Sequence, residues 1–172
     1  LAEGMGEVGE FSNINWSPDG NSVVFSGLKQ GQSDLYQYHF DTKKLDQLTN
    51  DAYSETQPAF SNDGKRIVFS YDKLSTENDV GVEINFNLAI MDLNSRSIEN
   101  LPVFLEANNL NPQFSADDSE IYFLSNRDGF RNLYRYKIAT NSTEQLTDYF
   151  TGISGITEYS PALSVSQNDD VL

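Results

Sequence analysis

The stretch Gln57-Pro58-Ala59-Phe60-Ser61-Asn62-Asp63-Gly64-Lys65 decides the fold, because its centre occurs three times. Phe60-Ser61-Asn62-Asp63-Gly64 has counterparts in Trp16-Ser17-Pro18-Asp19-Gly20 and in Phe114-Ser115-Ala116-Asp117-Asp118, with a degenerate fourth start at Pro161-Ala162-Leu163-Ser164. Counted from the aromatic residue, and from Leu163 in the last case, the starts lie 44, 54 and 49 residues apart (60−16, 114−60, 163−114). Repeats of about 40–50 residues are the period of propeller blades.

Working outward, each start is followed seven residues later by an apolar strand: Val23-Val24-Phe25, Ile67-Val68-Phe69 and Ile121-Tyr122-Phe123. Consecutive apolar residues give a strand two apolar faces, as a sheet packed between two others requires. A third strand follows at Leu35-Tyr36-Gln37-Tyr38, Leu88-Ala89-Ile90-Met91 and Leu133-Tyr134-Arg135-Tyr136. The fourth centres on Leu48, Leu101 and Leu146, each eight residues beyond Phe40, Leu93 and Ile138. The turns agree: Gly20 and Gly64 stand where a positive φ is cheapest, and Asp118 takes that place at some cost. Asp41-Thr42-Lys43-Lys44, Asn94-Ser95-Arg96-Ser97 and Ala139-Thr140-Asn141-Ser142 make the second hairpin of each unit. No helix is expected anywhere.

A phrase of the form Pro-x-Phe-Ser-Pro-Asp-Gly, then an apolar strand, then Leu-Tyr, then Gln-Leu-Thr, resembles the repeats of TolB-like β-propellers. Residues Gln57 to Lys65 and Gln145-Leu146-Thr147 are close matches, and the resemblance runs from Phe11 onward. It implies an all-β fold, a β-propeller segment of three four-stranded antiparallel blades plus the first strand of a fourth. On this register residues 1–10 are a leader or the end of a preceding blade. Residues 11–56, 57–110 and 111–158 form three blades, and residues 159–172 start a fourth. The same repeat occurs in periplasmic TolB, in outer-membrane-associated scaffolds, in propeller domains of prolyl oligopeptidase-like enzymes and in some propeller lyases. A closed propeller needs about four to eight blades. The chain is therefore expected to belong to a longer protein or to complete its ring with another chain or copy. Apolar faces such as those of Val24, Val68 and Tyr122 would otherwise meet water.

Composition bounds the partners. Twenty-six acids against 11 bases give a net charge of −15, which argues against nucleic acid and anionic membrane surfaces. Cysteine is absent, so disulfides and thiolate metal sites are excluded. No apolar run approaches the ~20 residues of a membrane span. The opening Leu1-Ala2-Glu3-Gly4, without Met, is expected of a processed or excised segment. Together with the resemblance, it leads to the expectation of a periplasmic or secreted bacterial location.

Loop lengths point to one end of the blades. The steps from first to second strand and from third to fourth are constant, at seven and eight residues. The step from second to third is ten, nineteen and ten (Phe25–Leu35, Phe69–Leu88, Phe123–Leu133), so the middle repeat carries an insertion within residues 71–86. Links between repeats also vary. All length variation thus sits at one end, where a rigid scaffold positions binding residues. Candidate binding residues there are Tyr53, Glu55, Asp72, Glu77, Asp79 and Glu83 on the first link and the insertion. In the third repeat and its exit they are Arg127, Asp128, Phe130, Tyr149, Phe150, Glu158 and Tyr159. Residues 11–13, 55–57, 109–111 and 158–160 are expected to line the central channel, with Glu55 and Glu158 in equivalent slots able to share a cation or a basic side chain.

Catalytic motifs do not hold up. Gly4-Met5-Gly6-Glu7-Val8-Gly9 matches G-x-G-x-x-G but leads into a strand, whereas dinucleotide binding needs a helix there. His39 is the single histidine and occupies a polar strand position also filled by Asp92 and Lys137, so no Ser-His-acid triad is indicated. No cofactor or metal is implied. The expected function is a non-catalytic scaffold that binds a protein or peptide, possibly a basic one, through the variable-loop end. The alternative is the non-catalytic propeller part of a larger hydrolase, gating substrate for a catalytic domain outside this sequence.

Overall fold

The computed structural model describes residues 8–78, 84–153 and 162–166. They form three four-stranded antiparallel sheets. The first contains β1 (Glu10–Trp16), β2 (Ser22–Lys29), β3 (Gln32–His39) and β4 (Lys44–Gln47). The second contains β5 (Glu55–Phe60), β6 (Arg66–Tyr71), β7 (Asn87–Asp92) and β8 (Ile98–Asn100), with a helix α1 (Lys73–Asn78) between β6 and β7. The third contains β9 (Asn109–Phe114), β10 (Glu120–Ser125), β11 (Asn132–Lys137) and β12 (Ser142–Gln145). Strands neighbour one another in sequence order within each sheet, the up-and-down order of a propeller blade.

The first hairpin of every blade is built the same way. Ser17, Ser61 and Ser115 donate their hydroxyls to Asp19, Asp63 and Asp117 at 2.6, 2.7 and 2.7 Å. The same hydroxyls accept the N–H of Ser22, Arg66 and Glu120 at 2.9, 3.0 and 2.9 Å. Each aspartate also accepts the N–H two residues on, which closes the turn without help from the strands. Hydrogen bonds from Ser17 and Ser61 hold Asp19 and Asp63 below the usual carboxylate range, and those from Ser119 and Ser115 bring Asp117 to about 2.

The fourth turn residue is left-handed in all three blades, with φ of 71° at Gly20, 68° at Gly64 and 60° at Asp118. Asp118 offsets its strain by clasping the neighbouring blade. Its carboxylate accepts the N–H of Asn62 at 2.7 Å and of Asp63 at 2.9 Å, and Asn62 Nδ2 at 3.1 Å. At the preceding junction Pro18 has no N–H to offer, and its Cδ would lie 3.7 Å from a Cβ on Gly64. Asp118→Gly is therefore expected to lose about 1–3 kcal/mol in urea unfolding, since charge-assisted bonds outweigh relief of the left-handed backbone. A variant more stable than the parent would show that strain dominates.

Two cores lie between blades rather than inside them. Alternation along each strand sends neighbouring residues to opposite faces. Val24, Leu35 and Leu48 of the first blade meet Phe60, Ile67, Phe69, Ala89 and Met91 of the second. Val68, Leu88, Ile90 and Leu101 of the second meet Phe114, Ile121, Phe123, Tyr134 and Tyr136 of the third. Val24, Val68 and Tyr122, expected to need another copy or the rest of a longer protein to keep them from water, are covered within this chain: the first two fill these interfaces, and Tyr122 lies in a cluster with Leu124, Leu133 and Leu163. Residues 162–166 run along the third blade there without forming a strand. Open apolar surface lies instead on the other face of the first blade, where Trp16 (59% exposed) stacks on Phe40 (43% exposed) with ring centroids 5.2 Å apart.

The expectation of no helix is also corrected. The six residues of α1 follow Asp72, whose carbonyl accepts Thr76 N–H at 3.0 Å. Leu74 packs against the core between blades one and two, and buried Ser75 accepts Asn85 N–H at 3.0 Å. Tertiary anchoring, not helical period, makes so short a helix.

Candidate interaction surface at the variable-loop end

Three different devices join the second and third strands. The first blade uses a two-residue turn, Gln30-Gly31, with φ of 54° and 87°. The second uses residues 72–86, including α1, and the third a short loop over residues 126–131 with Gly129 at φ 87°. These loops share one end of the sheets with the links between blades.

The first group of candidate residues is paired within the protein. Tyr53 donates its hydroxyl to Glu77 Oε1 at 2.8 Å, which raises the phenol above its ordinary pKa, and Lys73 Nζ sits 5.3 Å from the Tyr53 ring centroid. Asp72 accepts Ser54 N–H at 2.8 Å and returns its own N–H to the Ser54 carbonyl at 3.2 Å. These contacts fasten α1 to the link between blades one and two. Asp79 and Glu83 of the insertion lie outside the described residues, as do Glu158 and Tyr159.

Glu55, expected on the exposed face or in the channel, is buried, with 2% of its surface accessible. Its Oε2 accepts the Thr49 hydroxyl at 2.7 Å, and that hydroxyl lies 3.5 Å from Asp34 Oδ1. Burial is the main cause that pushes the carboxyl up to about 8, with the charges of Asp51, Asp34 and Asp72 acting in the same direction. The channel slots are held by amides instead: Asn13, Gln57 and Asn111 border a cavity between the first strands of the blades.

The second group, on the third blade, is open. Phe130 is 48%, Tyr149 56% and Phe150 82% exposed. Their backbone is fixed all the same. Tyr149 N–H donates to Asn132 Oδ1 at 2.8 Å, Gly152 N–H to the Tyr149 carbonyl at 3.0 Å, and Ile153 N–H to the Arg131 carbonyl at 2.6 Å. A Cβ on Gly152, which has φ 67°, would meet Arg131 N at 3.0 Å, so the tight approach of the two loops needs glycine. Arg127 lies over the Phe104 ring at 4.3 Å, and Asp128 accepts the Tyr134 hydroxyl at 2.9 Å. Sequence reasoning missed Phe104 and Tyr134 as supports of this loop: Phe104 reaches it from the link before the third blade, and Tyr134 through the hydroxyl of a residue that reads as core.

Among the described residues no three His, Cys, Asp or Glu side chains gather to hold a metal. His39 Nε2 lies 3.4 Å from Asp46 Oδ2, on a half-exposed strand position.

No protein-family model matches the chain. The Tol-Pal system protein TolB of Francisella tularensis subsp. mediasiatica is 30% identical over 120 residues, 70% of this chain and 26% of that protein. The chain thus spans about a quarter of the curated relative it matches. Among solved structures, a putative TolB from Agrobacterium tumefaciens superposes with TM-score 0.66 at 26% identity, over 81% of this chain and 47% of the other. TolB from Acinetobacter baumannii gives 0.64 at 22% identity, over 82% and 33%. Puromycin hydrolase gives 0.65 at 13% identity, over 84% and 23%, a likeness of fold alone. With three sheets in up-and-down order, three copies of the same Ser-x-Asp turn and these kinships, the chain is a segment of a TolB-like β-propeller.

Proposed function

We propose that the chain is a non-catalytic binding module that presents its variable-loop end to a protein or peptide. The observation that carries this reading is the set of uncovered aromatic rings, Phe130, Tyr149 and Phe150, on a backbone held by hydrogen bonds. Aromatic anchors displayed without ordering cost are what recognition surfaces use. Kinship to a protein of the Tol-Pal system supports a binding role and, through the resemblance to periplasmic TolB, an exported location. Acidic steering of a basic partner falls to Asp51, Asp148 and the insertion, although Asp72 and Glu77 also serve to hold α1. Nothing specific favours the hydrolase-linked alternative, since the puromycin hydrolase likeness is one of fold alone.

Peptides selected on the immobilised chain from a displayed random library provide the test. Phe130→Ala, Tyr149→Ala and Phe150→Ala combined are expected to weaken the selected peptides at least ~30-fold, as loss of central aromatic anchors does. Lys43→Ala, Lys44→Ala and Arg96→Ala, at the opposite end, should leave affinity unchanged. Loss of binding in the second set with none in the first would move the functional face to the other end.

A further inference from the structure

Each blade breaks its first strand at the same place. Between Ser12 and Asn15, Thr56 and Ala59, and Leu110 and Gln113, three steps on the inner strand oppose two on its partner. That is a β-bulge, which re-aims side chains. The bulge residues are Asn13, Gln57 and Asn111, all left-handed with φ of 54°, 55° and 54°. A non-glycine residue in that region carries strain, and strain of this kind collects at functional sites.

The orientation of the amides is fixed by their partners. Asn15 Oδ1 accepts Phe60 N–H at 3.0 Å, Gln57 Oε1 accepts Asn111 N–H at 2.8 Å, and Asn111 Oδ1 accepts Ala162 N–H at 3.2 Å. A backbone N–H can only donate, so an oxygen must occupy each of these positions and the amide cannot be turned over. The oxygens are therefore committed to the next blade or, at Asn111, to the segment that follows the third blade. Gln57 and Asn111, only 8% and 3% exposed, give their amino groups to no protein acceptor among the described residues. Both border a cavity of about 320 Å³, with Asn15, Gln113, Phe11 and Pro58 also in its wall. Among the described residues that wall contains no charged side chain, in a chain of net charge −15.

We propose that this cavity binds an uncharged carbonyl-bearing ligand of the amide class. The carbonyl oxygen would accept from Gln57 Nε2 and Asn111 Nδ2, and the apolar part would rest on Phe11 and Pro58. A cation finds no carboxylate among the described residues of the wall. An anion would exchange its hydration for neutral donors inside a negatively charged molecule, which is unfavourable. A neutral carbonyl loses little on leaving water and meets donors already held in place. This site goes beyond the loop-end reading and does not depend on it.

The test uses the 15N-labelled chain and follows the side-chain NH2 resonances of Asn15, Gln57 and Asn111. N-methylpropionamide is expected to shift the Gln57 and Asn111 signals saturably in the millimolar range, while sodium propionate at equal concentration leaves them unmoved. Gln57→Glu and Asn111→Asp keep an oxygen for Asn111 N–H and Ala162 N–H but replace the donor, so each should weaken the amide about tenfold in variants whose 15N spectra show them folded. Absence of a saturable amide shift, or an equal response to propionate, overturns the proposal in the unaltered chain, whatever the variants do. Unchanged amide affinity in both folded variants overturns it as well.

Discussion

Glutamine in place of Glu55 is expected to remove most of a pH dependence that the parent chain displays between about pH 4.5 and 8. Folding buries this carboxyl beside Thr49, with Asp34 and Asp51 on the first blade and its exit link and Asp72 at the start of the insertion. Its β6 partner across the sheet is Tyr71, whose phenol is itself raised by burial first and by the charges of Glu77 and Glu55. The folded-state pKa lies above the unfolded one, so between the two values the folded chain binds more protons. Stability is then complete below about pH 4.5 and is lost as pH rises through about 8. The slope approaches roughly 1.4 kcal/mol per pH unit, with a total on the order of 4 kcal/mol. Asp34 is raised too, by burial first and then by Asp51, and adds in the same direction. Glu55→Gln keeps an acceptor for the Thr49 hydroxyl and cannot ionise. Urea unfolding at pH 5, 7 and 9 should show the variant nearly flat and more stable than the parent at pH 9. Parallel curves for the two proteins would mean that Glu55 finds water or a counter-charge on ionising.

The largest loss from a single truncation is expected at Phe123→Ala, about 3–5 kcal/mol. Phe123 is fully buried between the second and third blades, stacked on Tyr134 at 5.7 Å and 6.3 Å from Phe104. Three rings enclose one another there, so the surroundings cannot collapse into the space that a benzyl group leaves. In a repeat protein much of the stability resides in contacts between neighbouring units. The loss should therefore appear as cooperative weakening of the whole chain in denaturant unfolding. A loss below about 1 kcal/mol would indicate that the blades fold without leaning on one another.

The blades were legible because their turn chemistry is local. Ser17, Ser61 and Ser115 each close a turn with an aspartate two residues on, and no other part of the molecule is needed to read that. The two-faced strands followed from the same spacing. The helix was not legible, since six residues make too few turns for a period to emerge and Leu74 is helical only because a core lies beneath it. Glu55 misled because a charge in a linking segment reads as solvated, while its burial depends on Thr49 and Ser33 from the neighbouring blade. The bulges escaped notice because an extra residue leaves the amino-acid pattern unchanged and alters only the pairing. At the loop end, aromatics and acids looked alike as candidates. The structure separates them: Tyr53 and Glu77 are engaged with each other, and Phe150 stands exposed.

Trp16 is the single tryptophan of the chain, and it lies on the open face of the first blade against Phe40. The molecule thus carries one indole chromophore on a sheet face that, among the described residues, no other blade covers. Excited near 295 nm, where tyrosine absorbs little, it emits as a solvated ring while that face is wet. Any blade or copy laid over the face must displace water from this ring, and the emission moves to shorter wavelength in step with the fraction covered. Covering of this face can therefore be followed by the intrinsic fluorescence of the protein, with no label attached.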